Sequence, residues 1–449
     1  MVNKIQQMSK TRFWMLVWSL GLAGQLCWNI ENQWFNTFVY AKIAKNSTIV
    51  TLMVITSALV TTFSTFLFGT LSDRRGSRRK FVSIGYILWG ALTIAFGLTE
   101  FISSGNVGNG ARFSLLAAVL VILADDVMSF FGSMANDSGY NAWSNDNTND
   151  QNRGQVGAAL AILPVIGTIV GTVVGGILIG SDDNYQRLFW AMGLFVIVTG
   201  LFSLFFLRDA PGLKPHKSGT FWQQFSAVFK AKGFFAQREL VLACVTTAVF
   251  FVAFNIYSVH MGNWMIYRVG FSADKMGVIQ GVGLLLASLL VIPGIRAVNE
   301  KKIPIVAAMA VFLNIVGLIL LSVFVRPGTL DTDTVFSGKN IILFMAVFLS
   351  GGGFVRVKEL YPEESRGQFE GMRILFFTLI PMIIGTVIGN VIVSNGAGSV
   401  QNEYGIVENI PTESIYVWGA VLAFLTFIPL YKAARLYWKR IKRESESAA

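Results

Sequence analysis

Charge is scarce in this chain. Only 14% of its 449 residues are Asp, Glu, Lys or Arg, where soluble domains carry about a quarter. That shortage argues against a soluble globular domain. Cysteine is scarcer still, with Cys27 and Cys244 alone, both inside apolar runs. A disulfide framework and a cysteine-based metal site are therefore not expected, and both thiols read as buried apolar groups. Histidine occurs twice, at His216 and His260. No zinc-ligand spacing and no Ser/His/Asp arrangement is visible. "GNVGNGARF" is glycine-rich, but no strand precedes it, so it does not read as a phosphate-binding loop. No enzyme activity, cofactor or metal is expected.

Apolar residues make up the balance, at 53%. They fall in twelve runs near 13–36, 49–71, 81–101, 114–138, 156–179, 188–207, 240–264, 274–294, 303–325, 340–358, 369–393 and 415–431. Runs of this length predict membrane-spanning helices, because only a helix satisfies its own backbone in lipid. The first run comes after Lys4, Lys10 and Arg12, as a signal peptide would. No small-residue cleavage site comes after it, so it reads as a retained span.

The net charge of +11 is a matter of topology. Both termini and the even-numbered loops hold 28 of the 36 Lys and Arg residues. That bias predicts a multi-pass inner-membrane protein with both termini in the cytoplasm. The tail "YKAARLYWKRIKRESESAA" reads as a basic helix end facing anionic lipid, and a nucleic-acid partner is not expected. The longest such loop, 208–238, carries the amphipathic stretch "FWQQFSAVFKAKGFF". It divides the chain into an N-terminal six-helix bundle (1–207), a linker (208–238) and a C-terminal six-helix bundle with the tail (239–449). The halves echo one another. "NRGQVGAALAILPVIGTIVG" and "SRGQFEGMRILFFTLIPMIIGTVIG" share Arg-Gly-Gln, a proline and Gly-Thr-x-x-Gly. "WNIENQW" has a fainter echo in "FNIYSVHMGNW". Six-helix repeats of this kind mark secondary transporters.

"GTLSDRRGSRRK" (69–80) resembles the G-x-x-x-D-R-x-G-R-R motif of the major facilitator superfamily. The resemblance implies two pseudo-symmetric bundles and alternating access. It also implies gating roles for Asp73, Arg74 and Arg78, with plain positive-inside anchoring as the other reading. "GSMANDSGYNAWSND" and "ELYPEESRGQFEGMR" resemble the melibiose-type glycoside–pentoside–hexuronide symporters and the sucrose–proton carriers. Those relatives hold sodium through acids in span two. Here span two has no acid above Asp73, so a proton is the expected coupling ion and sodium remains possible. A second gating network is expected from Arg153, Arg366, Glu370 and Arg373, with Arg356, Lys358 and Glu359 beside it. Arg153 and Arg366 are repeat equivalents.

Substrate contacts are read from periodicity. At 100° per residue, Gln25, Asn29, Asn32, Gln33 and Asn36 form one amide stripe on span one. Uncharged donors and acceptors suit a hydroxylated substrate such as a sugar, and Trp28 and Trp34 could stack on its ring. Hydrogen bonding between helices is the competing reading. Glu31 lies off the stripe and is a candidate proton carrier or a structural partner. On span four, Asp125 sits about 18 Å from the outer end, near the bilayer centre. A carboxylate costs at least about 2.5 kcal/mol there, so Asp125 is the first candidate for proton coupling, with Asp126 and Asp137 behind it; a structural acid paired to Arg or Lys is the other reading. Ser129, Ser133, Asn136, Tyr140 and Trp143 share its face. The melibiose-type resemblance offers Asp137, next to Asn136, as a sugar ligand instead. Asn136, Tyr140, Asn255, Tyr257 and Gln280 complete the substrate candidates. His260 could relay a proton, but its place near the outer end of span seven favours a loop-side, solvated histidine; Asn263 and Trp264 are further candidates beside it. Gly167, Gly171 and Gly175, with Gly385 and Gly389, predict close helix contacts. The expected function is proton-coupled import of a sugar or glycoside by a monomer. A drug or lipid-linked-sugar exporter, and an uncoupled sensor or flippase-like protein, are the alternatives.

Overall fold

The computed structural model describes residues 9–103, 110–149, 151–227, 234–289, 302–356, 370–401 and 407–448. Ten described helices are long and apolar enough to cross a membrane. They are Lys10–Ile43, Ser47–Arg75, Arg79–Ile102, Leu115–Asp146, Arg153–Ile179, Tyr185–Phe206, Arg238–Val269, Ile303–Val323, Gly371–Ser394 and Ser414–Arg443. Two shorter apolar helices, Ala273–Leu289 and Ile341–Arg356, lie where spans eight and ten are expected. The all-helical class therefore holds. It gains one small departure before the last span, an antiparallel hairpin of β1 (Ser399–Gln401) and β2 (Val407–Asn409).

Several spans are not regular α-helices. π-helical turns occupy Ile30–Phe35 and Val39–Ile43 in span one and Met134–Tyr140 in span four. Others lie at Trp264–Val269 in span seven and Leu375–Leu379 in span eleven. Each wide turn shifts the helix faces beyond it, and such turns often mark functional sites.

The chain divides into two compact units. The first comprises Met1–Ala44 with Thr56–Val228, the second Lys45–Ile55 with Phe229–Ala449. In the first, glycines let helices approach to backbone contact. Gly90 faces the Gly193 carbonyl between spans three and six. Gly167, Gly171 and Gly175 of span five face Gln25, Asn29 and Trp34 of span one. The Trp34 indole donates to the Gly171 carbonyl at 3.1 Å. Beside it Phe35 stacks on Phe96 at 3.8 Å, with Phe38 and Phe189 edge-on. The second unit repeats the glycine device: Gly385 and Gly389 of span eleven face Asn255 and His260 of span seven.

The first part of the linker packs back on the first unit, against the loop between spans two and three. The Asp209 carboxylate accepts from the Arg78 and Arg79 backbone N–H groups at 2.6 and 2.8 Å and from the Ser77 hydroxyl at 2.7 Å. It caps span three from a distant part of the chain. The His216 backbone N–H donates to the Asp73 carbonyl at 2.8 Å. Gly76, with φ of +62°, lies so close to the Pro215 backbone that a Cβ would clash. Arg74 donates to the Gly219 carbonyl and to Gln224 at 2.9 and 3.1 Å.

Candidate functional site

The amide stripe of span one does not stay one face. The π-helical turn that begins at Ile30 breaks the 3.6-residue period within the stripe itself. Asn29 and Gln33 both reach Thr172 of span five. The Asn29 amide donates at 3.3 Å, and the Thr172 hydroxyl donates to Gln33 Oε1 at 2.8 Å. Asn32 is exposed, and its amide donates to the Trp28 carbonyl at 2.6 Å. Asn36 is buried and donates to the Asn32 carbonyl at 2.7 Å. Gln25 and Trp28 are half-buried. Much of the stripe's hydrogen bonding is thus spent between spans one and five or within span one.

The remaining neutral candidates also lie within their own units. Asn136 is buried, with its Oδ1 3.2 Å from the Tyr86 hydroxyl. The Tyr140 hydroxyl donates to the Val17 carbonyl at 2.8 Å. Asn255 donates to the Phe251 carbonyl at 2.8 Å. The Tyr257 hydroxyl accepts from Asn314 at 3.0 Å, and Gln280 donates to the Met265 sulfur at 3.3 Å. His260 departs from expectation: it is fully buried, not solvated, because Gly389 lets span eleven close over it.

The acids are where the structure brings distant residues together. Glu31, turned away from the stripe as expected, is buried between spans two and four. Its Oε1 accepts from Ser57 and from Ser129, both at 2.9 Å. The two hydroxyl oxygens are 3.0 Å apart. Asp125, 1% exposed, shares a hydrogen bond with Ser57. Asp126 and Asp137 are half-buried, and both act electrostatically on Glu31. Asp126 is hydrogen-bonded to Thr56, while Asp137 accepts from Ser133 at 3.1 Å.

Two properties set this cluster apart. Among the described residues, no Lys, Arg or His forms an ion pair with Glu31, Asp125 or Asp126. Glu31 Oε2, Asp125 Oδ1 and Asp126 Oδ1 are buried with no hydrogen-bond donor among those residues. The second property is a proton count. Three carboxyl–hydroxyl contacts link Glu31, Ser57, Ser129 and Asp125, and the two serines bring only two protons. Closing all three as hydrogen bonds needs a third proton, and only a carboxyl group can carry it. Ser57 was not legible as the bridge. It is one of many hydroxyl residues in "TLMVITSALVTTFSTFLFGT", and nothing local distinguishes it.

The gating candidates form a contrasting cluster. Arg78 is buried and bonds Asp73 Oδ1 at 2.5 Å and Asp146 Oδ2 at 2.9 Å. It also donates to the Ser72 hydroxyl at 2.5 Å. Burial opposes its charge, but the hydrogen bonds and charges of Asp146 and Asp73 outweigh that and hold its pKa above the ordinary arginine value. Asp146 and Asp209 escaped the sequence reading because their partners are 68 and 131 residues away. Arg153 is exposed, and the Arg373 guanidinium lies 6.0 Å above the Phe377 ring. Lys358, Glu359, Arg366 and the Glu370 and Arg356 side chains lie outside what is described.

The sequence profile of the Major Facilitator Superfamily matches residues 17–357. Solved transporters share the fold. A mutant of the nucleoside transporter NupG aligns over 93% of this chain and 99% of its own, at 13% identity and a TM-score of 0.68. A bacterial homologue of the human drug peptide transporters PepT1 and PepT2 aligns over 97% and 100%, at 12% identity and a TM-score of 0.65. A peptide transporter POT bound to alafosfalin aligns over 94% of each chain, at 12% identity and a TM-score of 0.61. No curated protein matches the chain by sequence.

Proposed function

Because this chain belongs to the major facilitator superfamily, we propose that it is a secondary transporter that imports a sugar or glycoside together with protons. The observation that carries this reading is the buried, cation-free group of Glu31, Ser57, Ser129 and Asp125. Acids this deep in a span are costly unless a proton or a partner neutralises them. Here hydroxyls, not cations, are the partners, so a proton that binds and leaves during the cycle is the natural neutraliser. Asp125 is the first coupling residue and Glu31 its companion.

The sugar assignment rests on the likeness to the melibiose-type symporters and on the uncharged amides of span one. Gln25, Asn32 and Gln33 keep the most accessible amides of that stripe. An uncoupled sensor or flippase would be favoured by Asp125 in a salt bridge or facing lipid, and it is in neither position among the described residues.

The test is uptake by proteoliposomes offered sugars, nucleosides, peptides and cationic drugs under imposed proton or sodium gradients. Accumulation of a sugar driven by the proton gradient is expected. Drug extrusion without sugar uptake, or sugar uptake indifferent to both gradients, would overturn the reading.

A further inference from the structure

The matching glycine contacts of the two units end differently, and the difference isolates one side chain. In the first unit Gly171 faces Asn29, and the next residue, Thr172, receives the Asn29 amide. In the second unit Gly389 faces His260, and the next residue is Asn390. Asn390 turns away. Its Oδ1 accepts from the Ser47 hydroxyl at 2.6 Å, and its amide donates to Thr48 at 3.3 Å. His260 is left fully buried, with neither ring nitrogen hydrogen-bonded among the described residues. Among the described residues the Trp264 indole N–H, one turn along the same face, and the Tyr416 hydroxyl of span twelve also have no hydrogen-bond partner. Their rings meet at 4.9 Å, which joins spans seven and twelve one turn from the point where Gly389 of span eleven faces His260.

A neutral imidazole left this way forfeits both a donor and an acceptor bond, at about 1–3 kcal/mol each. A charged ring would lose more, because the described residues of the junction supply no anion. On span seven the neighbouring titratable group is Tyr257, whose hydroxyl is engaged by Asn314. Span twelve contributes Tyr416 and, at its start, Glu413, which pairs with Arg268 at 3.2 Å. The facing segment of span eleven, Ile380–Ser394, contains no titratable residue. On span eight, which meets the turn after His260, Lys275 donates to the Thr332 carbonyl, and Asp274 forms no ion pair with His260. Glu239 pairs with Arg440 at the opposite end of span seven.

We propose that His260 is a proton-binding site of the second unit, separate from the carboxyl group, which is empty of its proton while spans seven and eleven are packed and fills when their junction opens to water. Protonation then holds the junction open. Linkage sets the sign: a proton bound only by the open form favours that form as the pH falls. With an ordinary hydrated imidazole value of about 6.5, the open population rises roughly thirtyfold between pH 8 and pH 5.

The proposal extends the proton-driven reading but is tested without transport. Hydrogen–deuterium exchange of the full-length protein in nanodiscs, corrected for intrinsic rates, tracks peptides over 250–264 and 380–394 from pH 8 to pH 5. Wild type is expected to open about thirtyfold more at pH 5, His260→Gln and His260→Asn to show no such rise, and Asp125→Asn to keep it. A flat wild-type series overturns the proposal without any variant. So does the same rise in both histidine variants. Loss of the rise in Asp125→Asn would assign it to the carboxyl group and equally overturn a separate site.

Discussion

The first unit holds two charge clusters, each centred on a buried ionisable group and left in opposite states. In the loop between spans two and three, Arg78 sits among Asp73, Asp146 and Ser72, and Asp209 closes the helix end behind it. Each of these charges has a partner. Among Glu31, Asp125 and Asp126, no partner is a cation, and each keeps one buried oxygen without a donor among the described residues. A fully paired network stabilises one arrangement and lets go only when a helix moves. An under-paired one has a site for a proton. Burial of the central group does not distinguish the two, since Arg78, Glu31 and Asp125 are all buried, whereas the census of partners does.

The sharpest way to break this contrast is to remove a carboxyl proton site. Asp125→Asn keeps shape and hydrogen bonding but not titration. It is expected to bring substrate accumulation under a proton gradient down to equilibration while substrate exchange continues, measured by counterflow in proteoliposomes. Glu31→Gln is expected to act the same way, and the double variant no worse than either, because they share one proton. Additive losses would separate them.

The paired cluster should answer with stability instead. Arg78→Ala leaves Asp73 and Asp146 facing each other without their cation and is expected to cost about 2–4 kcal/mol in thermal unfolding. Pairing it with Asp146→Ala in a double-mutant cycle should recover part of that loss. Asp209→Ala removes a cap and should cost about 1 kcal/mol. Gly171→Ala, which presses a methyl group into Asn29, should cost about 1–3 kcal/mol without altering the proton dependence of uptake.

The smallest effect is expected in a loop beyond both clusters. The Thr334 backbone N–H, then the Ser337 hydroxyl, the Asp333 backbone N–H and the Lys339 charge hold Asp331 below the usual carboxylate value. A depressed folded value stabilises above the unfolded value of about 3.9 and is lost as the pH falls through the folded one. Asp331→Asn should therefore lower Tm slightly at pH 7, and the two proteins should converge below about pH 3.

Much of this was legible in the chain. Apolar run length marked the spans, and the loop motif marked Arg78 and Asp73, because both signals are local. Glu31 was separated from the amide stripe by periodicity alone, and it does turn to its own unit. Its partners were not legible. Which serine of span two meets Glu31 depends on how three helices pack, and span two offers hydroxyls on every side. The amide stripe failed as a single face because a π-helical turn has no signature in composition, and one added residue in a turn rotates every later side chain of the span. His260 was misjudged for a related reason. Depth along a span suggested water, but Gly389 decides what covers the ring.

The proposed proton coupling requires Glu31 and Asp125 to hold one proton between them. Infrared difference spectroscopy of the protonated carboxyl band reads this directly in the purified protein. Wild type should show one such band at neutral pH, absent in Glu31→Gln and in Asp125→Asn alike. A band that survives in both variants, or none in wild type, would contradict the account.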